Sequence, residues 1–249
     1  MDNNTLHLWC AYPDDLLDEE SAQVCLGLLS QDELARWEAF KADRHRREYL
    51  ATHALARTAI SHHLGVAANG LRFQANSFGK PALDPECRLR FNLSNSSGLV
   101  VCLLWEGGDV GVDVEPRERA SSIREVAKRM LSPLELAALS ALPADQQLER
   151  CLQLWTLKES YAKARGMGLK LSFPSFSFLH DEAGRIRLIP EPGLNDDPAH
   201  WRSCLLEHAE HCIALMVDAP AAPHLRIWEA RPACAAPRLL DSAPREWQP

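Results

Sequence analysis

The 249-residue sequence has no CxxC pair, no glycine-rich phosphate loop of the GxxxxGK[ST] or GxGxxG kind, and no GxSxG elbow. Each absence removes a class of protein. Without ligand-spaced cysteines, the eight cysteines read as buried free thiols of a reducing compartment, not as a zinc site or a disulfide framework. His208 and His211 stand three apart with no further ligand pattern, which argues against zinc. Without a phosphate loop, nucleoside triphosphate and dinucleotide chemistry lose their support. No run approaches the roughly 20 apolar residues that span a bilayer, so no membrane partner is expected. The opening MDNNTLHLWCAYPDD lacks both the basic start and the apolar centre of a secretory signal, and a cytoplasmic protein is expected. Positive charge is also short, with 27 Lys and Arg against 34 Asp and Glu, a net charge of −7. Sequence-independent nucleic-acid binding is therefore not expected.

A composition of 46% hydrophobic and 24% charged residues is that of a folded chain with a real core. Thr5–Tyr12 has the pattern of an opening strand, and Ser30 with Glu33 three residues on makes a capping box for a helix. Helical spacing continues through Tyr49, Leu50, Ala54, Leu55 and Ile60 to a stop at Gly65. The segments LRFQAN, RLRFNLS and LVVCLLW then read as strands. Gly107-Gly108 lies between LVVCLLW and DVGVDVE, which predicts an antiparallel hairpin. Helices are expected again from Ser122 to Met130, from Ser132-Pro133 to Leu142, and from about Gln146 to Arg165. Strands follow at 175–179, 185–189, 201–207 and 212–217, and the Ala- and Pro-rich tail after Ala219 reads as a loosely ordered extension.

Four features carry chemistry. In GVDVE, period-two alternation puts Asp113 and Glu115 on one face of a strand and Val112 and Val114 on the other. Two carboxylates on one face repel unless water screens them or a cation neutralises them, and an all-oxygen set suits Mg2+. An exposed edge strand with solvated acids is the plainer alternative. In WTLKESYAKARG, Trp155, Glu159 and Lys163 succeed one another at i+4, while Leu154, Leu157, Tyr161 and Ala164 form an apolar stripe. That spacing presents Glu159 and Lys163 to a cleft, or else makes an ordinary surface pair. Lys41, Arg44, Arg46 and Arg47 could grip phosphates, Arg being suited by its fork, or form a solvated helix face. In NSFGKPAL, Gly79 and Pro81 fix a turn that could aim Lys80 at an anion.

Taken together and in this order, these features resemble the surfactin-type (Sfp-type) 4'-phosphopantetheinyl transferases. The likeness runs from about Arg36 to Phe178 and is carried by YLATHALAR, FGKP, FNLS, GVDVE, WTLKESYAKARGMGL and FSF. It implies an α+β fold of two α/β lobes related by a pseudo-twofold axis. Residues 1–115 would form a lobe holding the nucleotide end of coenzyme A and the first metal ligands. Residues 116–219 would form a lobe with the catalytic helix and the carrier-protein contact, and 220–249 would be a C-terminal extension. The implied activity is that of a holo-[acyl-carrier-protein] synthase, moving 4'-phosphopantetheine from coenzyme A to a serine of an apo acyl or peptidyl carrier protein with release of 3',5'-ADP. Mg2+ would sit on Asp113, Glu115 and Glu159. Glu159 would also be the base, and Lys163 would steady the pyrophosphate and the leaving group. Arg46, Arg47, Lys80 and Ser94 would contact phosphates, with Arg36 a lesser candidate. Met130, Leu131 and Met167, followed by Lys170, are expected to form an exposed carrier-docking surface, and a monomer is expected. A non-catalytic binding module and an unrelated Mg2+-dependent phosphodiesterase are the competing readings; the presence of both Glu159 and Lys163 favours the transferase over the module.

The family pattern has Ser-His after FNL or FNI, whereas this chain has Ser94-Asn95. The resemblance puts that histidine at the 3'-phosphate of coenzyme A, where Asn can donate a hydrogen bond without a charge. Asn95→His is expected to lower KM for coenzyme A with little change in kcat, and to matter much less for 3'-dephospho-coenzyme A. Steady-state kinetics with both substrates check this; an equal change for the two would place Asn95 away from the 3'-phosphate.

Overall fold

The computed structural model describes residues 4–76, 79–181, 184–194, 196–231, 237–241 and 247–248. Its first half runs β1 (Thr5–Ala11), α1 (Glu19–Leu26), α2 (Gln31–Ala39), α3 (Asp43–Leu64), β2 (Gln74–Ala75), β3 (Pro81–Ala82), β4 (Arg90–Ser96) and β5 (Leu99–Trp105). The second half runs β6 (Val110–Pro116), α4 (Ala120–Met130), α5 (Pro133–Ser140), α6 (Ala144–Arg165), β7 (Phe176–His180), β8 (Ile186–Pro190), β9 (Trp201–His208) and β10 (His211–Asp218). The tail adds β11 (His224–Glu229) and β12 (Arg238–Asp241).

The two halves repeat one plan. Each opens with a strand, passes through helices to a 22-residue helix, makes a small two-stranded sheet, and returns as an antiparallel hairpin beside the opening strand. The sheet orders β1-β5-β4 and β6-β10-β9 correspond strand for strand. The helix caps correspond as well. Ser30 and Glu33 form a capping box at α2, and Glu33 also pairs with Arg57 of α3. Ser132 and Glu135 form the same box at α5, and Glu135 pairs with Lys158 of α6. Both long helices end on a glycine in the left-handed conformation, Gly65 and Gly166, where a side chain would be strained.

Period-two alternation explains the layers. On β5, Leu99, Val101 and Leu103 face the other sheet while Val100, Cys102 and Leu104 face α3, so a strand apolar on both faces is buried on both. On β10, Ile213, Leu215 and Val217 face β5, and Cys212, Ala214 and Met216 face α6. The result is a four-layer stack of α3, first sheet, second sheet and α6. Each fully buried Leu or Val between the sheets contributes about 1.5–3 kcal/mol.

That stacking corrects the predicted hairpin. β5 pairs with β1 and β4, while β6 pairs antiparallel with β10, so Gly107-Gly108 carries the chain from one sheet to the other. The change of sheet thus falls between Trp105 and Val110, ahead of the 115/116 boundary expected from sequence. The tail is corrected too. β11 lies parallel to β1, burying Leu225 and stacking Trp228 on Trp9 at 5.4 Å, and Gln248 pairs with Ser203 of β9. The tail therefore touches both sheets; its residues 232–236, 242–246 and 249 lie outside the described residues, as do Ser77 and Phe78 of the NSFGKPAL segment. LRFQAN keeps only Gln74–Ala75 as strand, paired with Pro81–Ala82.

Gly111 allows α6 to lie directly on β6. A Cβ there would overlap the carbonyl oxygen of Ser160 and sit 2.5 Å from the backbone nitrogen of Ala164. Backbone atoms of a helix cannot move aside singly, so Gly111→Ala is expected to lower stability by about 1–3 kcal/mol or more. Urea unfolding monitored by circular dichroism measures this, and a wild-type midpoint would contradict the close packing.

Candidate active site

The side chains that could act are set by two registers. On β6, Val112 and Val114 enter the core between the sheets, which turns Asp113 and Glu115 toward α6. They are 5% and 6% exposed, so the exposed-edge alternative does not hold. On α6, the apolar stripe of Leu154, Leu157, Tyr161 and Ala164 is buried as expected, and Trp155, Glu159 and Lys163 occupy the side beside β6.

The polar groups then interlock. Lys163 Nζ donates to Asp113 Oδ1 at 2.6 Å and to Ser94 Oγ at 2.8 Å, and Ser94 Oγ donates to Asp113 Oδ1 at 3.0 Å. Trp155 Nε1 donates to Glu115 Oε1 at 2.9 Å. Arg119, in the short 3-10 turn Arg117–Arg119, donates to both oxygens of Glu115 at 2.8 and 2.6 Å. Ser94 comes from the first half because β4 and β6 meet edge to edge. There the free N–H groups of Val112 and Val114 donate to Asn92 Oδ1 and Ser94 Oγ, so side chains replace a backbone ladder.

Asp113 Oδ2 is buried and has no hydrogen-bond partner. Burial, followed by the charge of Asp113, raises the Glu159 carboxyl to about 7, and the same two causes raise Glu115. A cation relieves like-charged acids of this kind, and a bare buried carboxylate oxygen within an all-oxygen set fits a hard ion such as Mg2+. Among the described residues no three His, Cys, Asp or Glu groups are arranged around one point to hold a metal. The chain's own cations occupy Asp113 Oδ1 and both oxygens of Glu115.

Lys80 is at the same cleft. Its Nζ donates to Val110 O at 3.1 Å and Ala164 O at 3.2 Å, and burial lowers its pKa. A cavity of about 270 Å3 runs from Lys80 past Asn92, Leu93, Glu159 and Lys163 to Phe173. A second, of about 370 Å3, continues beyond Lys80 to Arg90, Asp109 and Arg165. Asn95 is exposed on β4, one residue past Ser94 and on the opposite face. The arginines of the first half lie apart from this network. Arg46 donates to the carbonyls of Phe40 and Glu38 and packs over Trp37, Arg47 is partly exposed on α3, and Arg36 is exposed on α2.

Met130 and Leu131 do not form the expected exposed surface. Both are in the core against α6, and Met167 is packed at its margin. Among the described residues, the exposed large apolar side chains of this half are Val126, Leu134, Leu148 and Ile189. Sequence reasoning also passed over Arg119, Asn92 and the Lys158–Glu135 pair. Asn92 was findable, since it shares a strand face with Ser94. Arg119 was not, because no regular element sets its distance from Glu115.

An α+β protein whose two corresponding halves bring an acidic strand against a Glu/Lys helix defines a narrow class. The 4'-phosphopantetheinyl transferase superfamily model matches residues 109–216, the segment from the start of β6 to β10. The chain is 30% identical over 230 residues to 4'-phosphopantetheinyl transferase HetI of Nostoc sp., covering 91% of this chain and 92% of the relative. It is 29% identical to 4'-phosphopantetheinyl transferase Sfp of Bacillus subtilis over 74% of this chain and 80% of that one. A crystal structure of Thermotoga maritima holo-[acyl-carrier-protein] synthase overlaps 45% of this chain and 64% of its own, at 26% identity and a TM-score of 0.36. The chain belongs to the 4'-phosphopantetheinyl transferase superfamily. Among the described residues no helix is long and apolar enough to cross a membrane.

The WTLKES segment also contains a structural lysine. Lys158 and Glu135 are both 0% exposed in side chain and 2.8 Å apart, and Lys158 Nζ also donates to the carbonyls of Phe173 and Phe176. Removing one member of such a pair leaves a buried charge, at a cost of about 3–5 kcal/mol. Lys158→Met is expected to lose that much, and Lys158→Met with Glu135→Gln to recover part of it. Chemical denaturation of the three proteins measures both effects.

Proposed function

We propose that this cleft transfers the 4'-phosphopantetheine arm of coenzyme A to a serine of an apo carrier protein, with Asp113, Glu115, Glu159 and Lys163 as its working groups. Membership of the superfamily supports the reaction, and coenzyme A is its substrate. The observation that carries the residue assignment is the bare, buried Asp113 Oδ2 beside the raised Glu159, with Lys163 reaching across to Asp113. Residues 1–105 with the tail strands form the nucleotide-side lobe, and residues 110–218 form the lobe that carries the base.

Each group has a distinct part. Glu159, lining the cleft beside Lys163, takes the proton from the carrier serine. The serine oxygen bonds to the β-phosphorus of coenzyme A as the bond from that phosphorus to the 3',5'-ADP oxygen breaks. Lys163 turns from Asp113 to the negative charge gathering on the departing diphosphate oxygen, and Lys80 holds the mouth of the cleft with its charge toward the phosphates. Asp113, Glu115 and Glu159 would hold Mg2+, which would supply charge neutralisation at the pyrophosphate. Ser94 keeps Asp113 and Lys163 in register. Arg46 and Arg47 serve the nucleotide phosphates from α3, for which Arg46 exchanges its carbonyl partners for phosphate oxygens. The protein acts as a monomer.

Incubation with coenzyme A, Mg2+ and an apo carrier protein, read by intact-protein mass, tests the reading. One added arm per carrier domain is expected. Binding without mass gain would mean a non-catalytic module, and coenzyme A consumed without a carrier would mean a phosphodiesterase. Asp113→Ala and Glu159→Ala are each expected to slow transfer at least about 100-fold with the fold retained. Wild-type rates in either folded variant would remove that residue from the site.

A further inference from the structure

Two arginines follow β6 and take opposite directions. Arg117 pairs with Glu149 and Glu207, away from the cleft. Arg119 turns back, and its guanidinium lies on both oxygens of Glu115. An i,i+4 pair on a surface contributes little, but Glu115 is buried beside Asp113, and the charge of Arg119 reaches Glu159 as well. The guanidinium thus neutralises the buried Glu115 and acts electrostatically on the next acid as well. Lys163 stands on Asp113 in the same way, so each acid of β6 already carries a monovalent cation of the chain.

The two cations differ in what holds them. Lys163, 28% exposed in side chain, also donates to Ser94, so its position is fixed from two sides. The Arg119 side chain is 48% exposed, and the described hydrogen bonds of its guanidinium go to Glu115 alone. It can move into water without leaving a second buried group behind. The guanidinium bonds to both oxygens of Glu115, so a divalent ion that takes one of them must displace at least one of those bonds and set a second positive charge beside the first, which weakens the pair. The indole N–H of Trp155 has no charge and can stay on Oε1 while the guanidinium leaves.

We infer that Arg119 is a positioning residue that stands in for the metal, holding Glu115 in the metal-free protein and swinging off when the ion binds, so that it sets the metal affinity. The inference rests on Asp113, Glu115 and Glu159 being the metal-binding acids. Metal loading is then an exchange of cations, and the metal-free protein is spared the repulsion among its acids.

The test uses Arg119→Met, which keeps the aliphatic length without the donors, and Arg119→Lys, which keeps a cation. Mg2+ binding is measured by calorimetry without coenzyme A, and melting temperature is followed from EDTA through rising Mg2+. Since removing a charged competitor is worth a charge-assisted hydrogen bond, Arg119→Met is expected to bind Mg2+ about tenfold more tightly. It is also expected to melt lower than wild type in EDTA, with the gap closing as Mg2+ rises. Arg119→Lys is expected to return toward wild-type affinity, which a merely structural contact would not require. Equal or weaker Mg2+ binding by Arg119→Met would overturn the inference while leaving the acids as the site. Mg2+ binding to wild type that is absent, or unchanged in Asp113→Asn and Glu159→Gln, would remove the acids as the site and the inference with them.

Discussion

The close approach of α6 to β6 at Gly111 governs the rest of the molecule. Only a residue without a Cβ lets the helix backbone at Ser160 and Ala164 rest on the strand, and that distance decides which side chains can meet. Two residues on, Asp113 comes within reach of Lys163; four residues on, Glu115 meets the indole of Trp155. A wider gap would leave the same acids facing water, where their charges would be screened and their protonation ordinary.

The repeated plan explains how such a helix is held. In each half a Ser-x-x-Glu box caps the helix before the long one, and its glutamate reaches a cation of the long helix, Arg57 in one half and Lys158 in the other. One carboxylate thereby satisfies backbone donors at a helix start and fixes the rotation of its neighbour. In the second half that rotation aims Trp155, Glu159 and Lys163 at β6. The tail strand β11 completes the first sheet beside β1, and Gln248 reaches β9, so the chain's end ties together the sheets its middle separates.

The interlocked polar groups lie where the two halves join because that seam is the polar one. Both sheets are apolar between their layers, but β4 and β6 meet at their edges, and edge N–H groups require acceptors. Asn92 and Ser94 supply them, and Ser94 so placed also touches Asp113 and Lys163. The acids of β6 are balanced by Lys163 on Asp113 and Arg119 on Glu115.

Much of this was legible in the residues. Alternation in GVDVE put Asp113 and Glu115 on one face, i+4 spacing aligned Trp155, Glu159 and Lys163, and Ser30, Ser132, Gly65 and Gly166 marked helix ends, because these are local rules in which a few neighbours fix the outcome. What the strand's acids would face was not local. LVVCLLW pairs with its neighbour β4 and with distant β1, and DVGVDVE with β10 far along the chain, rather than with each other, since Leu99, Val101 and Leu103 of one and Val112 and Val114 of the other gain more by stacking between two sheets than in a hairpin with one wet side. The tail read as loose for the same reason: its hold comes from β1, at the other end of the chain. Local residues determined the elements and the chemical types of the working groups. Tertiary packing alone decided that Glu115 is buried against Trp155, that Ser94 crosses to Asp113, and that Met130 and Leu131 are core, because each depends on a distance between elements that no spacing in one dimension encodes.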